Sequence, residues 1–136
     1  MEAMRGSQKS IILVARQLGI HIGPNDIPER FQIDDRELKS NEMCELAQSF
    51  DLKAKATKIK DKELLKLLTK KQQILRLKNG RYIIALRIVS GDKDSDDKSI
   101  LCLDAGVSSP KPQQISLKEL LKGWDGEIIL LKAKLK

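Results

Sequence analysis

The chain is poor in the residues on which site chemistry usually depends. Its 136 residues include one tryptophan, one tyrosine and two phenylalanines, so aromatics amount to 3%. Single-stranded nucleic acid is held by stacking successive bases on aromatic faces, and four rings cannot build that platform. His21 is the only histidine, and the two cysteines, Cys44 and Cys102, lie far apart in the chain. No paired spacing of zinc ligands exists, no metal ligand set is expected, and His21 reads as a surface or rim residue. Gly-Lys-Ser and Gly-Lys-Thr are absent, so these residues cannot form a phosphate loop. No apolar run exceeds the five residues 11–15, against about 20 for a bilayer span. The N-terminus shows no basic start, apolar centre and small-residue cleavage site, and each cysteine sits inside an apolar pattern. These features predict a soluble chain of a cytosolic protein, with both thiols reduced and packed in the core.

What the chain does have is charge: 33% of residues are charged and the net charge is +7. Its distribution is uneven. Between residues 53 and 78 ten basic side chains face only Asp61 and Glu63, while the rest of the chain is nearly neutral. Such an excess suits a solvated face or an electrostatic footprint for phosphates, anionic lipid or an acidic polypeptide. Asp92, Asp94 and Asp96 imitate the start of a calcium loop. The imitation fails because Asp97 replaces the turn glycine and Leu103 stands where a bidentate glutamate is required, so residues 92–97 read as a solvated hairpin loop.

Apolar residues at 40% of 136 suffice for one core. Ile11, Ile12, Val14, Ala15 and Leu18 recur at helical spacing, predicting a helix over 8–18 with Ser7 as N-cap and Gly19 as stop. Pro24 and Asn25 open a short helix through Phe31, and after a charged linker over 34–39 Ser40 starts a third, with Met43, Cys44, Leu46, Ala47 and Phe50 inward. The period then changes. Residues 53–59 alternate as a strand, 61–68 form a short helix, and strands over 74–78 and 81–89 flank Asn79-Gly80, the dipeptide of a tight hairpin. A strand over 99–103, a capped helix over 116–121 and a strand over 127–135 complete the chain. Helices first (about 7–51) and an antiparallel sheet second (about 53–135) is an α+β plan for one domain.

Several strings in this order resemble one family: Pro24-Asn25-Asp26-Ile27 with Arg30-Phe31, Ala47-Gln48-Ser49-Phe50-Asp51-Leu52, Asn79-Gly80-Arg81-Tyr82-Ile83-Ile84, Cys102-Leu103-Asp104, and Gly126-Glu127-Ile128-Ile129-Leu130. They look like the papain-like, bacteriocin-processing cysteine peptidase domain at the N-terminus of bacterial ABC exporters. The likeness is nearer to the inactive version in type I secretion exporters of RTX toxins and adhesins. The resemblance implies a papain-like fold with N-terminal helices packed on an antiparallel sheet. It places the family's catalytic cysteine at Gly6, within Arg5-Gly6-Ser7, its histidine at Tyr82 and its orienting aspartate at Asp104. Without thiol and imidazole, attack and proton transfer have no agents.

The implied function is a catalytically dead domain that recruits the unfolded secreted substrate for ATP-driven export. Its partners are that acidic, calcium-binding protein and the rest of the transporter, with no nucleic acid and no membrane span in this piece. Expected contact residues are Arg81 and Tyr82 at the former cleft, with Lys53, Lys55 and Lys58. The domain itself is expected to need no cofactor, ATP and magnesium belonging to a nucleotide-binding domain outside it. The chain is then a piece of a longer membrane protein on the cytoplasmic side of the bacterial inner membrane. Two alternatives stand beside this reading: a peptidase trimming a double-glycine leader through Cys44 or Cys102, and a basic nucleic-acid-binding module.

Overall fold

The computed structural model describes residues 6–32, 36–90, 98–106 and 111–133. Along the chain run α1 (Gly6–Gln17), α2 (Ser40–Gln48), β1 (Leu52–Lys58), α3 (Asp61–Leu68), β2 (Gln73–Leu77), β3 (Tyr82–Ser90), β4 (Lys98–Leu103), β5 (Gln113–Ser116), α4 (Leu117–Gly123) and β6 (Trp124–Ala133). The strands form one antiparallel sheet in the order β1-β6-β2-β3-β4-β5. The last strand in sequence therefore lies inside the sheet, between β1 and β2. Its run Ile128-Ile129-Leu130-Leu131 supplies apolar side chains to both faces, as an internal strand requires.

Each face carries its own helices and core. On one, Ile11, Val14 and Ala15 of α1 and Met43, Leu46 and Ala47 of α2 close over Leu52, Ile74, Tyr82, Ile84, Ile129 and Leu131. On the other, Leu64 and Leu68 of α3 and Leu120 of α4 pack with Leu75, Ile83, Ala85, Ile100, Cys102 and Ile128. Alternation within β2 and β3 sends Ile74 and Ile84 to the first core and Leu75 and Ile83 to the second.

The expected elements are present, with four differences. The helix expected through Phe31 is two 3-10 turns, Pro24–Asp26 and Glu29–Phe31; Pro28 between them has no N–H to continue the ladder. Strand β5 was not expected. The β2–β3 connection is a three-residue loop, since Leu77 and Arg81 still pair through Leu77 N–H on the Arg81 carbonyl at 2.8 Å. Only Gly80 in it adopts a left-handed conformation, at φ +86°, as in a type I turn followed by an αL glycine. Finally, Ser7 lies inside α1 and does not cap it. The stop at Gly19 does hold: Gly19 N–H reaches Arg16 O at 3.0 Å and Ile20 N–H reaches Ala15 O at 2.9 Å, the paired bonds of a Schellman end. The 92–97 loop lies outside the described residues, as do residues 134–135 of the last expected strand.

Ile11 is 0% exposed at the centre of the α1 contact with the sheet. Ile11→Ala is expected to lower unfolding stability by about 2–5 kcal/mol. Lys55→Ala, on the exposed side of β1, should change it by less than about 0.5 kcal/mol. Urea denaturation monitored by the single tryptophan measures both.

Candidate functional site

Four segments meet at the amino end of α1: the helix start, residues 36–39, the β2–β3 hairpin, and the turn after β4. The first amides of a helix have no partner within it and present partial positive charge. Here a side chain from far along the chain answers them. Gly6 N–H donates to Glu37 Oε1 at 3.1 Å and Ser7 N–H to Glu37 Oε2 at 2.7 Å. The buried Ser7 and Gln8 tie the same region together. Ser7 Oγ donates to Gln8 Oε1 at 2.8 Å and accepts from Leu38 N–H at 3.1 Å, and Gln8 Nε2 donates to the Phe31 carbonyl at 2.8 Å.

Position 6 has no side chain, and the backbone of Gly106 fills the space. A Cβ built on Gly6 would lie 3.2 Å from both Gly106 Cα and Gly106 N; one built on Gly106 would lie 3.2 Å from Asp104 Oδ1 and 3.3 Å from Gly6. Two chain segments thus touch so closely that a side chain at either glycine would require its neighbour to give by a few tenths of an ångström. Asp104 holds this turn: its Oδ1 accepts Gly106 N–H at 2.9 Å and its Oδ2 accepts Arg81 Nη2 at 2.6 Å.

Arg81 is therefore the hairpin residue that faces Asp104, whereas the sequence reading gave that station to Tyr82. Tyr82 points to the opposite side, is 1% exposed, and donates its hydroxyl to the Leu38 carbonyl at 2.8 Å. Burial pushes its phenol above the ordinary range. A side chain so enclosed offers no contact to an external chain, which corrects its assignment as a substrate-contact residue; its role is to pin residues 36–39 to β3. Strand alternation carries the signal, because Tyr82 shares the face of Ile84.

Next to this cluster, Ser40 Oγ donates to Glu127 Oε1, and Arg76 lies 3.9 Å from both Asp125 and Glu127. Glu42 accepts Lys39 N–H at 2.8 Å and makes two contacts to Arg36 at 2.7 and 3.1 Å.

Lys53, Lys55 and Lys58 are exposed on β1. That strand lies three steps across the sheet from β3, roughly 14 Å at the usual strand spacing, so the structure does not bring these lysines together with Arg81. Both thiols are poor nucleophiles as placed. Burial pushes Cys102 up to about 11 and raises Cys44, the reverse of an activated cysteine. His21 is exposed beyond the carboxyl end of α1, away from the amino end where the cluster lies. Among the described residues no three His, Cys, Asp or Glu side chains converge as metal ligands, and no helix is long and apolar enough to cross a membrane.

A helix whose amino end points at one end of an antiparallel sheet, beside an aspartate following a neighbouring strand, is the arrangement of papain-like α+β domains. The Peptidase C39 family model matches residues 9–136, and the chain belongs to that family. Solved structures agree in fold. The N-terminal peptidase C39-like domain of the toxin secretion ATP-binding protein from Vibrio parahaemolyticus superposes with a TM-score of 0.70 at 22% identity, covering 96% of this chain and 98% of that one. A double-glycine-motif protease from an AMS/PCAT transporter, in complex with its leader peptide, gives 0.77 at 13% identity over 98% and 88%. The peptidase domain of Streptococcus ComA, a bifunctional ABC transporter of a quorum-sensing pathway, gives 0.75 at 15% over 97% and 93%. A search of curated protein sequences returns no match.

Two predictions follow the local chemistry. Glu37→Ala strands two helix amides and is expected to cost about 1–3 kcal/mol, read from the urea midpoint. The Arg36 guanidinium, then the Lys39 amide, holds the Glu42 carboxyl down to about 2. A depressed carboxyl contributes stability above its unfolded value of roughly 4.3 and loses it as pH falls through the folded value. Glu42→Gln should therefore remove part of the stability loss between about pH 5 and pH 2 that the unsubstituted protein shows.

Proposed function

We propose that this is a C39 peptidase-like domain of a type I secretion ABC exporter that captures an unfolded acidic polypeptide and does not cleave it. The observation that carries the reading is the amino end of α1. In a cysteine peptidase that position suits a thiolate, whose charge the helix end stabilises. Here it holds Gly6, closed by the Glu37 carboxylate and the Gly106 backbone. The partner of Asp104 is Arg81, a permanent cation unable to act as general base. With Gly6 and Arg81 in these places, Asp104 orients a guanidinium and the triad has no nucleophile.

Capture is supported by charge. The lysines of β1 stand in solvent on a chain of net charge +7, and such a field steers an acidic polypeptide to the surface and weakens with salt. Tethering to a transporter on the cytoplasmic side of the membrane would keep the captured chain near its exit. Export energy would come from ATP and magnesium in a separate nucleotide-binding domain of the parent protein.

Incubation with a double-glycine leader peptide should give no product, and Gly6→Cys combined with Arg81→His should not restore cleavage, because a Cβ at position 6 meets Gly106 and the helix end is occupied by Glu37. Cleavage abolished by mutating Cys44 or Cys102 would overturn the reading. Fluorescence anisotropy with a calcium-free, acidic, unfolded repeat polypeptide should show binding at low salt that weakens by about tenfold or more in high salt. No binding at low salt would refute the capture role.

A further inference from the structure

The outer edge of the sheet at β1 takes no part in the cluster above. Among the described strands β1 pairs with β6 alone. Its register runs without a bulge from Leu52 opposite Ala133 to Lys58 opposite Glu127, and it holds neither proline nor glycine. Ile59 N–H reaches the Gly126 carbonyl at 2.9 Å across this seam. By strand alternation Lys53, Lys55 and Thr57 therefore bond to β6, and Ala54, Ala56 and Lys58 turn their amides and carbonyls away from the sheet. Ala56 N–H faces the sulfur of Cys44, a weak acceptor. The two faces of the strand differ in charge. Ala54 and Ala56 pack under α2, which also carries the exposed Glu45 beside Cys44. Lys53 and Lys55 stand exposed on the opposite face, where their partners across the seam are Lys132, also exposed, and Leu130. Among the described residues no carboxylate pairs with any of these three lysines. Like charges set opposite each other in a ladder, as at Lys53 and Lys132, repel.

We infer that the edge of β1 is where the captured chain docks: an extended segment alternating carboxylates with small apolar residues adds antiparallel to β1, its backbone on Ala54, Ala56 and Lys58 and its carboxylates opposite Lys53 and Lys55. The inference rests on the proposed capture function and gives it a location. An unfolded chain has no surface shape to recognise, but every stretch of it offers backbone donors and acceptors, which strand addition uses for affinity while side chains set the choice of partner. Lys53 and Lys55 bond to β6, so toward an incoming strand they occupy the non-hydrogen-bonded positions, where facing side chains come closest. A carboxylate there offsets the repulsion already present between Lys53 and Lys132. On the other face the alanines leave room for small apolar side chains, and Glu45 disfavours an acidic one. A second copy of β1 carries the same lysines, so pairing edge to edge sets like charge against like.

The probes are three labelled peptides of one sequence alternating aspartate with valine: unmodified, N-methylated at every valine, and N-methylated at every aspartate. All carry the same charge. In the inferred register the valine amides bond to β1 and the aspartate amides point away. The unmodified and aspartate-methylated peptides should therefore bind alike, and the valine-methylated one at least about tenfold more weakly. Amide NMR should place the largest shifts on adding the unmodified peptide at Ala54, Ala56 and Lys58. Ala54→Pro, which removes an outward N–H and leaves the β6 ladder intact, should weaken that peptide by about tenfold, as should Lys53→Glu with Lys55→Glu. Circular dichroism checks that the variants fold, and the peptide comparison on the unsubstituted domain depends on neither. The unfolded repeat polypeptide serves as a second ligand. If that polypeptide binds while valine methylation changes nothing, or while shifts cluster at Gly6 and Asp104, the edge assignment is wrong and the capture function stands. A domain that dimerises through Ala54, Ala56 and Lys58 without peptide makes the edge a contact between copies and equally overturns the assignment. If neither ligand binds the unsubstituted domain, both fail.

Discussion

The two hydrogen bonds from the first amides of α1 to the Glu37 carboxylate are the contact on which the site end of the molecule depends. A helix end facing the protein interior requires an acceptor, and a negatively charged one gains from the helix dipole as well. Supplying it from residue 37 draws residues 36–39 across the helix, where Leu38 is gripped by Ser7 through its N–H and by Tyr82 through its carbonyl. Gly6 can then approach Gly106, and Asp104 can hold that turn while pairing with Arg81. Most of these bonds connect residues more than twenty positions apart, so they act as a unit. Removing one partner leaves others buried and unmatched, which costs more than the bond itself.

The sheet imposes a second constraint. β6 is the last strand in the chain, yet it joins β1 to β2, so neither edge of that seam closes until the C-terminal strand arrives. Contacts of such sequence separation slow folding relative to local ones. Gly6, Asp104 and the β2–β3 hairpin lie at one end of the sheet, and Lys71, whose Nζ donates to the Leu131 carbonyl, lies at the other.

Much of this was legible in the residues because local rules coincide with the final structure. Apolar spacing located α1, α2 and α3, Asn79-Gly80 located the hairpin, and Ser116 caps α4 as expected, its Oγ accepting Glu119 N–H at 3.2 Å. β5 escaped because three of its four residues are exposed and its strand character comes from pairing with β4, which no local pattern announces. The Glu37 contact has no signature either, since a side chain reaching amides thirty positions earlier looks like any charged linker residue. Reading the alternation outward from Ile84 sends Tyr82 into the core and leaves Arg81 for Asp104. The family resemblance supplied Gly6 and Asp104, but their closure by Gly106 required the fold.

The two cysteines belong to different cores, Cys44 packing against the helical face that carries α1 and α2, and Cys102 buried on the face covered by α3 and α4. A sheet lies between them, and a disulfide needs Cα atoms within about 7 Å with side chains directed at each other. Oxidation therefore cannot staple this fold to itself. Half-buried Cys44 is the thiol more open to a second molecule, so oxidising conditions would reach the chain as cross-linking between copies, leaving its internal architecture indifferent to redox state.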